Sequence, residues 1–332
     1  MLSKELSQPV RMVADVTRRC NLSCWYCRSS LGPNYSGPEL SSKDLEVIFN
    51  VSEAGKIFEV TLSGGEPILW PGLKETMYLS HQLDYTSLQI ITNATVLSQE
   101  KIDILNDGNL RRVCVSIDGS EQIHERNRGP GTYRAALEGI EKLRGVVNDV
   151  TVISLLDTTS YNKWPELTRR LVDLGVSQHH LAPVRIEGVR VQSFGGLTEQ
   201  QFEHVRKMVD DYQNLLPPDF TLKFNDIFIQ GPQQRTLTLS SFTEFVKGWH
   251  ITILPDGSFG ASTKAQKNSQ EKINEILAID MGSTLDTLKI ISKDDPNRLR
   301  VRLENGFSFI FDTKSFDVTL LTANELNLLL AQ

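Results

Sequence analysis

The stretch Thr17-Arg-Arg-Cys20-Asn-Leu-Ser-Cys24-Trp-Tyr-Cys27 sets three cysteines within eight residues, directly after the β-rich run 10–16. A fourth, Cys114, stands alone, and none follows it. A disulfide scaffold spreads its cysteines along a short secreted chain. Three thiols in one loop are instead the pattern of a metal site. Structural zinc takes four closed ligands, and none of the six histidines (81, 124, 179, 180, 204 and 250) has finger spacing to this loop. A four-iron cubane usually takes four cysteines. With three, one iron keeps a position open for a small molecule. Ligation by thiolates alone also favours the low end of the cluster potential range, which suits a strong one-electron reductant.

The runs around the loop set the fold. Strand patterns fall at 10–16, 57–62, 88–92, 112–117, 150–156 and 178–183, with helical patterns between several of them. Ser41 or Ser42 can cap a helix whose Leu45, Ile48, Phe49 and Ser52 share a face, ending at Gly55. Thr132 can cap a second, with Tyr133, Ala136, Leu137, Ile140 and Leu143 inward. A third starts at Lys163, buries Trp164, Leu167, Leu171 and Leu174, and closes at Gly175. Thr198 and Gln201 form a capping box for a fourth, with Phe202, Val205, Val209 and Tyr212 on one side. Such alternation needs a parallel sheet with right-handed crossovers. The expectation is an α/β protein: a partial, open (β/α)6 TIM-like barrel over residues 1–216, with a small α+β extension over 217–332. Pro217-Pro218 marks the boundary. Beyond it the pattern gives a strand at 250–254, the turn Pro255-Asp256-Gly257, short helices near 269–278 and 284–291, and a hairpin turn at Asn305-Gly306.

In a barrel of parallel strands, active sites are built at the carboxyl ends, which is where the cysteine loop lies. The composition excludes other classes. Thirty-five basic residues against 41 acidic ones leave a net charge of −6 and no basic stripe for nucleic acid. No run approaches the ~20 apolar residues that span a bilayer, and residues 1–9 lack the apolar core of a signal peptide. A cytoplasmic protein is expected.

The CxxxCxxC loop, with the aromatic Tyr26 before its last cysteine, resembles the radical S-adenosylmethionine (SAM) superfamily. The second strand ends Leu62-Ser-Gly64-Gly65-Glu66-Pro67, which looks like that family's GGE motif. The third ends Thr92-Asn93-Ala94, similar to its TNG-like turn with alanine in place of glycine. The fourth ends Ser116-Ile-Asp-Gly119, followed by His124-Glu125-Arg126 and Arg128-Gly-Pro-Gly131-Thr132. That block resembles the branch with SPASM or twitch extensions. The resemblance implies that Cys20, Cys24 and Cys27 hold one 4Fe–4S cluster and that SAM chelates the open iron. It implies that Gly64, Gly65 and Glu66 hold the SAM ammonium, that Ser116 and Arg128 contact its ribose and carboxylate, and that Tyr26 and Asn93 complete the cofactor site. One electron from a cytoplasmic donor such as flavodoxin or ferredoxin then cleaves the sulfonium. The resulting 5′-deoxyadenosyl radical abstracts hydrogen from a ribosomal peptide or a small natural product. Arg18, Arg19 and Arg28 flank the loop as a basic collar for an acidic donor.

The departure from the family lies in the extension. The Pro-Asp-Gly turn is present, but no cysteines flank it, so this sequence supplies no auxiliary cluster. The extension reads as a cysteine-free relative of SPASM or twitch. No winged-helix peptide-recognition domain is expected, since strand one starts by Val10 and the tail after Ile291 is short. Without an auxiliary electron acceptor, a redox-neutral outcome is expected. Cys114 is the one remaining thiol that could donate hydrogen, although its depth in strand four favours a core role. At most one of His179 and His180 faces the interior. Arg185 and Arg190 read as surface charges, and Asn162 and Trp249-His250 as substrate-side candidates at most. Rival readings are a glycyl-radical-enzyme activase and a zinc-binding scaffold protein.

Overall fold

The computed structural model describes residues 11–27, 32–54, 57–147, 149–184 and 196–224. Beyond these it describes 250–253, 255, 259–261, 289–292, 298–302, 308–312 and 318–321. Seven strands run in parallel in chain order: β1 (Arg11–Thr17), β2 (Glu59–Gly64), β3 (Ser87–Thr92), β4 (Leu110–Ser116), β5 (Asp149–Leu156), β6 (Gln178–Pro183) and β7 (Thr221–Phe224). Each pairs with the next, as in a barrel that has been left open. The expected partial barrel is present, with one strand more than the six expected. β7 is four residues long and follows two prolines, too short for a pattern to separate it from loop.

Two further strands belong to this sheet. β8 (His250–Ile253) pairs in parallel with β1, and β9 (Phe259–Ala261) returns antiparallel beside it. Residues from beyond Leu216 thus supply both edges of the sheet. A separate antiparallel sheet comprises β10 (Lys289–Ser292), β11 (Arg298–Arg302), β12 (Ser308–Asp312) and β13 (Val318–Leu321). β10 corrects the end of the helix expected over 284–291, where Lys289, Ile290 and Ser292 pair with β11; residues 284–288 lie outside the described residues. Gly55, Arg28, Arg185, Arg190, Trp249, the helix at 269–278 and the turns at Asp256-Gly257 and Asn305-Gly306 lie outside the described residues.

The helices cover one face of the sheet. In α1 (Ser42–Ala54), Leu45, Ile48, Phe49 and Ser52 are buried, and Ser41 caps the first turn by accepting from the Asp44 amide at 3.2 Å. After α2 (Leu73–Leu79) and α3 (Gln99–Asn106) comes α4 (Glu121–Arg128). Arg128 therefore ends a helix that the sequence pattern does not mark, because its charged residues leave little apolar periodicity. α5 (Thr132–Leu143) is capped by Gly131, at φ 76°, so Thr132 is its first helical residue and not its cap. α6 (Pro165–Asp173) closes at Gly175, at φ 66°. α7 (Glu199–Gln213) carries the expected Thr198–Gln201 capping box.

The strand residues Ala14, Val16, Val60, Leu62, Ile90, Val113, Val115 and Val152 share one core with the helices. Their alternates point the other way, into the concave face of the sheet. At its amino-terminal end Arg11 pairs with Glu59 at 2.5 Å and Arg112 with Asp149 at 2.6 Å. The carboxyl end is left for chemistry.

Candidate active site

The cysteine loop crosses the end of β2 at backbone contact. Thr17 O accepts from Gly65 N at 2.6 Å, and Arg19 O from Glu66 N at 2.8 Å. A Cβ at Gly65 would lie 2.0 Å from Arg19 O, and one at Gly64, where φ is 115°, would lie 2.3 Å from Thr17 O. The paired glycines thus let the loop's own backbone come close. Cys20, Leu22, Cys24, Tyr26 and Val184 are buried together, with Trp25, Cys27 and Leu155 packed against them. Burial pushes the Cys20 thiol up to about 12 and raises that of Cys24, so both are neutral thiols until a metal displaces their protons. Among the described residues no three ligand-type side chains converge on a single ion.

Glu66 is fully buried at the end of β2. Its Oε1 accepts from Ile68 N at 3.1 Å and Thr92 Oγ1 at 2.7 Å, and its Oε2 from Asn93 N at 2.8 Å. Three donors on a group with about four acceptor positions leave room on Oε2 for one more. Burial raises the carboxyl, and the three hydrogen bonds oppose that shift. Asn93 extends the contact to the loop, donating to Asn21 Oδ1 at 3.0 Å, with its Nδ2 3.8 Å from Cys20 Sγ. Ala94, at φ 57°, occupies the left-handed position at which a glycine is usual.

Asp118, two residues past β4, gathers the other half of the site. Arg128 donates to it through Nε at 3.0 Å and Nη2 at 3.1 Å. The Tyr26 hydroxyl, Asn127 Nδ2 (3.2 Å) and Leu155 N (3.1 Å) donate to the same carboxylate. Burial would raise Asp118, but the guanidinium holds it below the usual carboxylate range. Arg128 also lies over the Tyr26 ring, 5.4 Å from its centre. Its side chain is only 8% exposed, yet Asp118 takes two of its five N–H groups. Among the described residues the remaining N–H groups have no hydrogen-bond partner, which leaves them to receive an anionic group.

Three comparisons bear on this arrangement. The sequence profile of the Radical SAM superfamily matches residues 15–172. This chain carries a radical SAM domain. The sporulation killing factor maturation protein SkfB of Bacillus subtilis (strain 168) is 27% identical over 168 residues, 50% of this chain and 40% of that protein. The PqqA peptide cyclase of Bradyrhizobium diazoefficiens is 27% identical over 216 residues, 63% of this chain and 56% of that one. The chain spans about half the length of these curated relatives. The structure of Streptococcus suis SuiB bound to S-adenosylmethionine aligns with a TM-score of 0.62 at 16% identity. It covers 78% of this chain and 63% of that one, a likeness of fold.

Radical SAM proteins use a 4Fe–4S cluster and SAM, and the residues fit both: two buried thiols and a half-buried one in a single loop, and a carboxylate and a guanidinium each with hydrogen-bonding capacity to spare among the described residues. Ser116 is half-buried at the end of β4. Cys114 lies two residues deeper, its thiol pushed up to about 11 by burial, near Thr151, Arg11, Arg112 and Glu59. It stands towards the ion-paired end, away from the cysteine loop. His179 is fully buried between Ser154 Oγ (2.7 Å) and Thr168 Oγ1 (2.8 Å), so His180 is the inward histidine of the pair. Asn162 is exposed. The sequence reading gave no role to Asp118, Asn127 or Thr92. Asp118 stood inside the quoted motif, but its partners Tyr26 and Leu155 are 92 and 37 residues away.

Proposed function

We propose that this chain is a radical SAM enzyme with one 4Fe–4S cluster on Cys20, Cys24 and Cys27, acting on a ribosomal peptide. One observation carries the reading. Two buried thiols and a half-buried one stand in one loop at the carboxyl ends of parallel strands, beside a buried glutamate with an acceptor position open. A cluster held by Cys20, Cys24 and Cys27 would supply the electron for reductive cleavage of SAM, and with it the hydrogen-abstracting power the reaction needs. The chain's own residues bind and orient. Glu66 accepts from the SAM ammonium, and Gly64 and Gly65 keep it beside the cysteine loop. The free N–H groups of Arg128 receive the carboxylate, while Ser116, Asn93 and Tyr26 line the remainder. Burial of Glu66, Asn93, Tyr26 and Arg128 limits the access of water.

The peptide reading is supported by relatives named for peptide maturation or cyclisation, SkfB, PqqA peptide cyclase and mycofactocin maturase MftC. A small-molecule substrate is the second reading, favoured by the AdoMet-dependent heme synthase of Methanosarcina barkeri, 34% identical over 140 residues. Residues 1–216 are the catalytic core in this proposal, and 217–332 a SPASM- or twitch-like extension that lends strands to its sheet. No cysteine lies beyond Cys114 to hold an auxiliary cluster. The substrate radical then ends in a redox-neutral outcome such as epimerisation, rearrangement or elimination. Cys114 is the one candidate for a thiol hydrogen donor. Among the described residues no helix is long and apolar enough to cross a membrane. A cytoplasmic site with a flavodoxin or ferredoxin as donor, docked near Arg18 and Arg19, fits the proposal. The test is anaerobic turnover with candidate precursor peptides in deuterated water. A product of unchanged oxidation state supports the proposal, and one two hydrogens lighter overturns its redox part. One deuterium taken up, and lost in Cys114→Ala, assigns the donor.

A further inference from the structure

We propose that Asp118 is a positioning residue for the cluster loop: its buried carboxylate fixes the segment between Cys24 and Cys27 against β4, α4 and β5. The inference rests on reading that loop as the cluster site. The geometry excludes a different role for Asp118. Oδ1 accepts from Arg128 Nη2 and Leu155 N, and Oδ2 from the Tyr26 hydroxyl, Asn127 Nδ2 and Arg128 Nε. Five donors on a group with about four acceptor positions saturate it. No lone pair is left to take a proton from a substrate or to bind a ligand. Glu66, by contrast, keeps one open.

What Asp118 holds is also specific. Tyr26 belongs to the cysteine loop, Asn127 and Arg128 to α4, and Leu155 to β5. The Asp118 backbone is fixed in turn, its N–H donating to His124 Nδ1 at 3.1 Å. Asn127, held by Asp118, accepts from Trp25 Nε1 at 3.0 Å. Both residues between Cys24 and Cys27 are therefore tied to this one carboxylate, Tyr26 directly and Trp25 through Asn127. The Cys20 end has a different anchor, through Asn21, which donates to Thr95 Oγ1 at 2.8 Å and accepts from Asn93. Each end of the loop thus has its own strand-end anchor, and Asp118 serves the pair of cysteines that Asn93 does not reach.

The test uses the anaerobically reconstituted full chain and three variants: Asp118→Asn, Tyr26→Phe and the double. Iron release to an excess of chelator is timed, and amide hydrogen exchange is followed in peptides spanning residues 20–27. Removing one partner of a buried charge-assisted network is expected to speed iron release about ten-fold or more in Asp118→Asn. A smaller acceleration is expected in Tyr26→Phe, and the double should match Asp118→Asn because both act through one contact. Loop amides should exchange faster while those of β1 to β3 keep their protection. Loosening spread over the whole sheet would mark a general structural role and overturn the proposal. So would unchanged iron release with unchanged loop protection. If Asp118→Asn does not fold, Tyr26→Phe, which deletes one hydroxyl, carries the same comparison. Should the wild type take up no iron, the cluster reading fails, and loop exchange still decides whether Asp118 holds the segment.

Discussion

Replacing Glu66 by glutamine separates the two duties that the structure gives this residue. The glutamine Oε1 can keep the bonds from Ile68 N and Thr92 Oγ1. Its Nε2 then meets the Asn93 N–H, donor against donor, where the carboxylate now accepts at 2.8 Å. A hydrogen bond to a charged acceptor contributes ~1.5–3 kcal/mol, and a buried donor left unpaired costs ~1–3 kcal/mol. Against this stands the relief of no longer burying a charge, since burial already raises the Glu66 carboxyl. The net expectation is a loss of about 2 kcal/mol, seen as a urea midpoint lower by roughly 0.5–1 M. The second duty is towards SAM: with no carboxylate to meet the ammonium, affinity should fall about ten-fold or more. Equilibrium unfolding and equilibrium dialysis with SAM read the two effects on one protein. Wild-type stability together with wild-type SAM affinity in Glu66→Gln would refute both the bracing and the ligand role.

Other consequences follow from packing and charge. Gly139→Ala, a favourable change in most helices, should here destabilise by about 1–3 kcal/mol in thermal unfolding. Its Cβ would lie 2.4 Å from Ala94 O and 2.8 Å from Ala94 Cβ. His179, held neutral by burial with a pKa down at about 3, binds fewer protons in the native state than when unfolded. Its contribution is complete above about pH 6.5 and is lost as pH falls towards 3, amounting to about 2 kcal/mol by pH 5. Because burial also pushes His124 and His180 down to about 4, His179→Gln should still lose stability between pH 7 and 5 in urea titrations, but about 2 kcal/mol less than the wild type. Cys114→Ala should cost about 1 kcal/mol in the same titration, as for one buried methyl-sized group, and leave iron content and SAM cleavage intact.

The parts of the fold written in local pattern were legible in the sequence. β6 falls on residues 178–183 as expected, and α7 carries its capping box, because each depends on residues within a few positions of one another. The turn at Ala94 was legible as a motif in which glycine is usual, while its left-handed backbone is seen only in the structure. β7 and β8 were not assigned to the barrel sheet, since a four-residue strand carries no mark of its partner and His250–Ile253 finds β1 across more than 200 residues. The cluster ligands were legible as a spacing. The groups that hold them were not: Asp118 is one acidic residue among 41 until Tyr26, Arg128 and Leu155 are brought around it. α4 was missed for the related reason that its Asn127 and Arg128 turn to the buried Asp118 carboxylate and not to an apolar core.

The central claim, a cluster on three cysteines that cleaves SAM, is tested most directly by anaerobic reconstitution with iron and sulfide. Iron counting and assay for 5′-deoxyadenosine under reducing conditions then follow on the same sample. The account predicts a brown protein with about four irons per chain and 5′-deoxyadenosine formed from SAM. Both should be lost when Cys20, Cys24 or Cys27 becomes alanine. A colourless protein that retains zinc and forms no 5′-deoxyadenosine would contradict it.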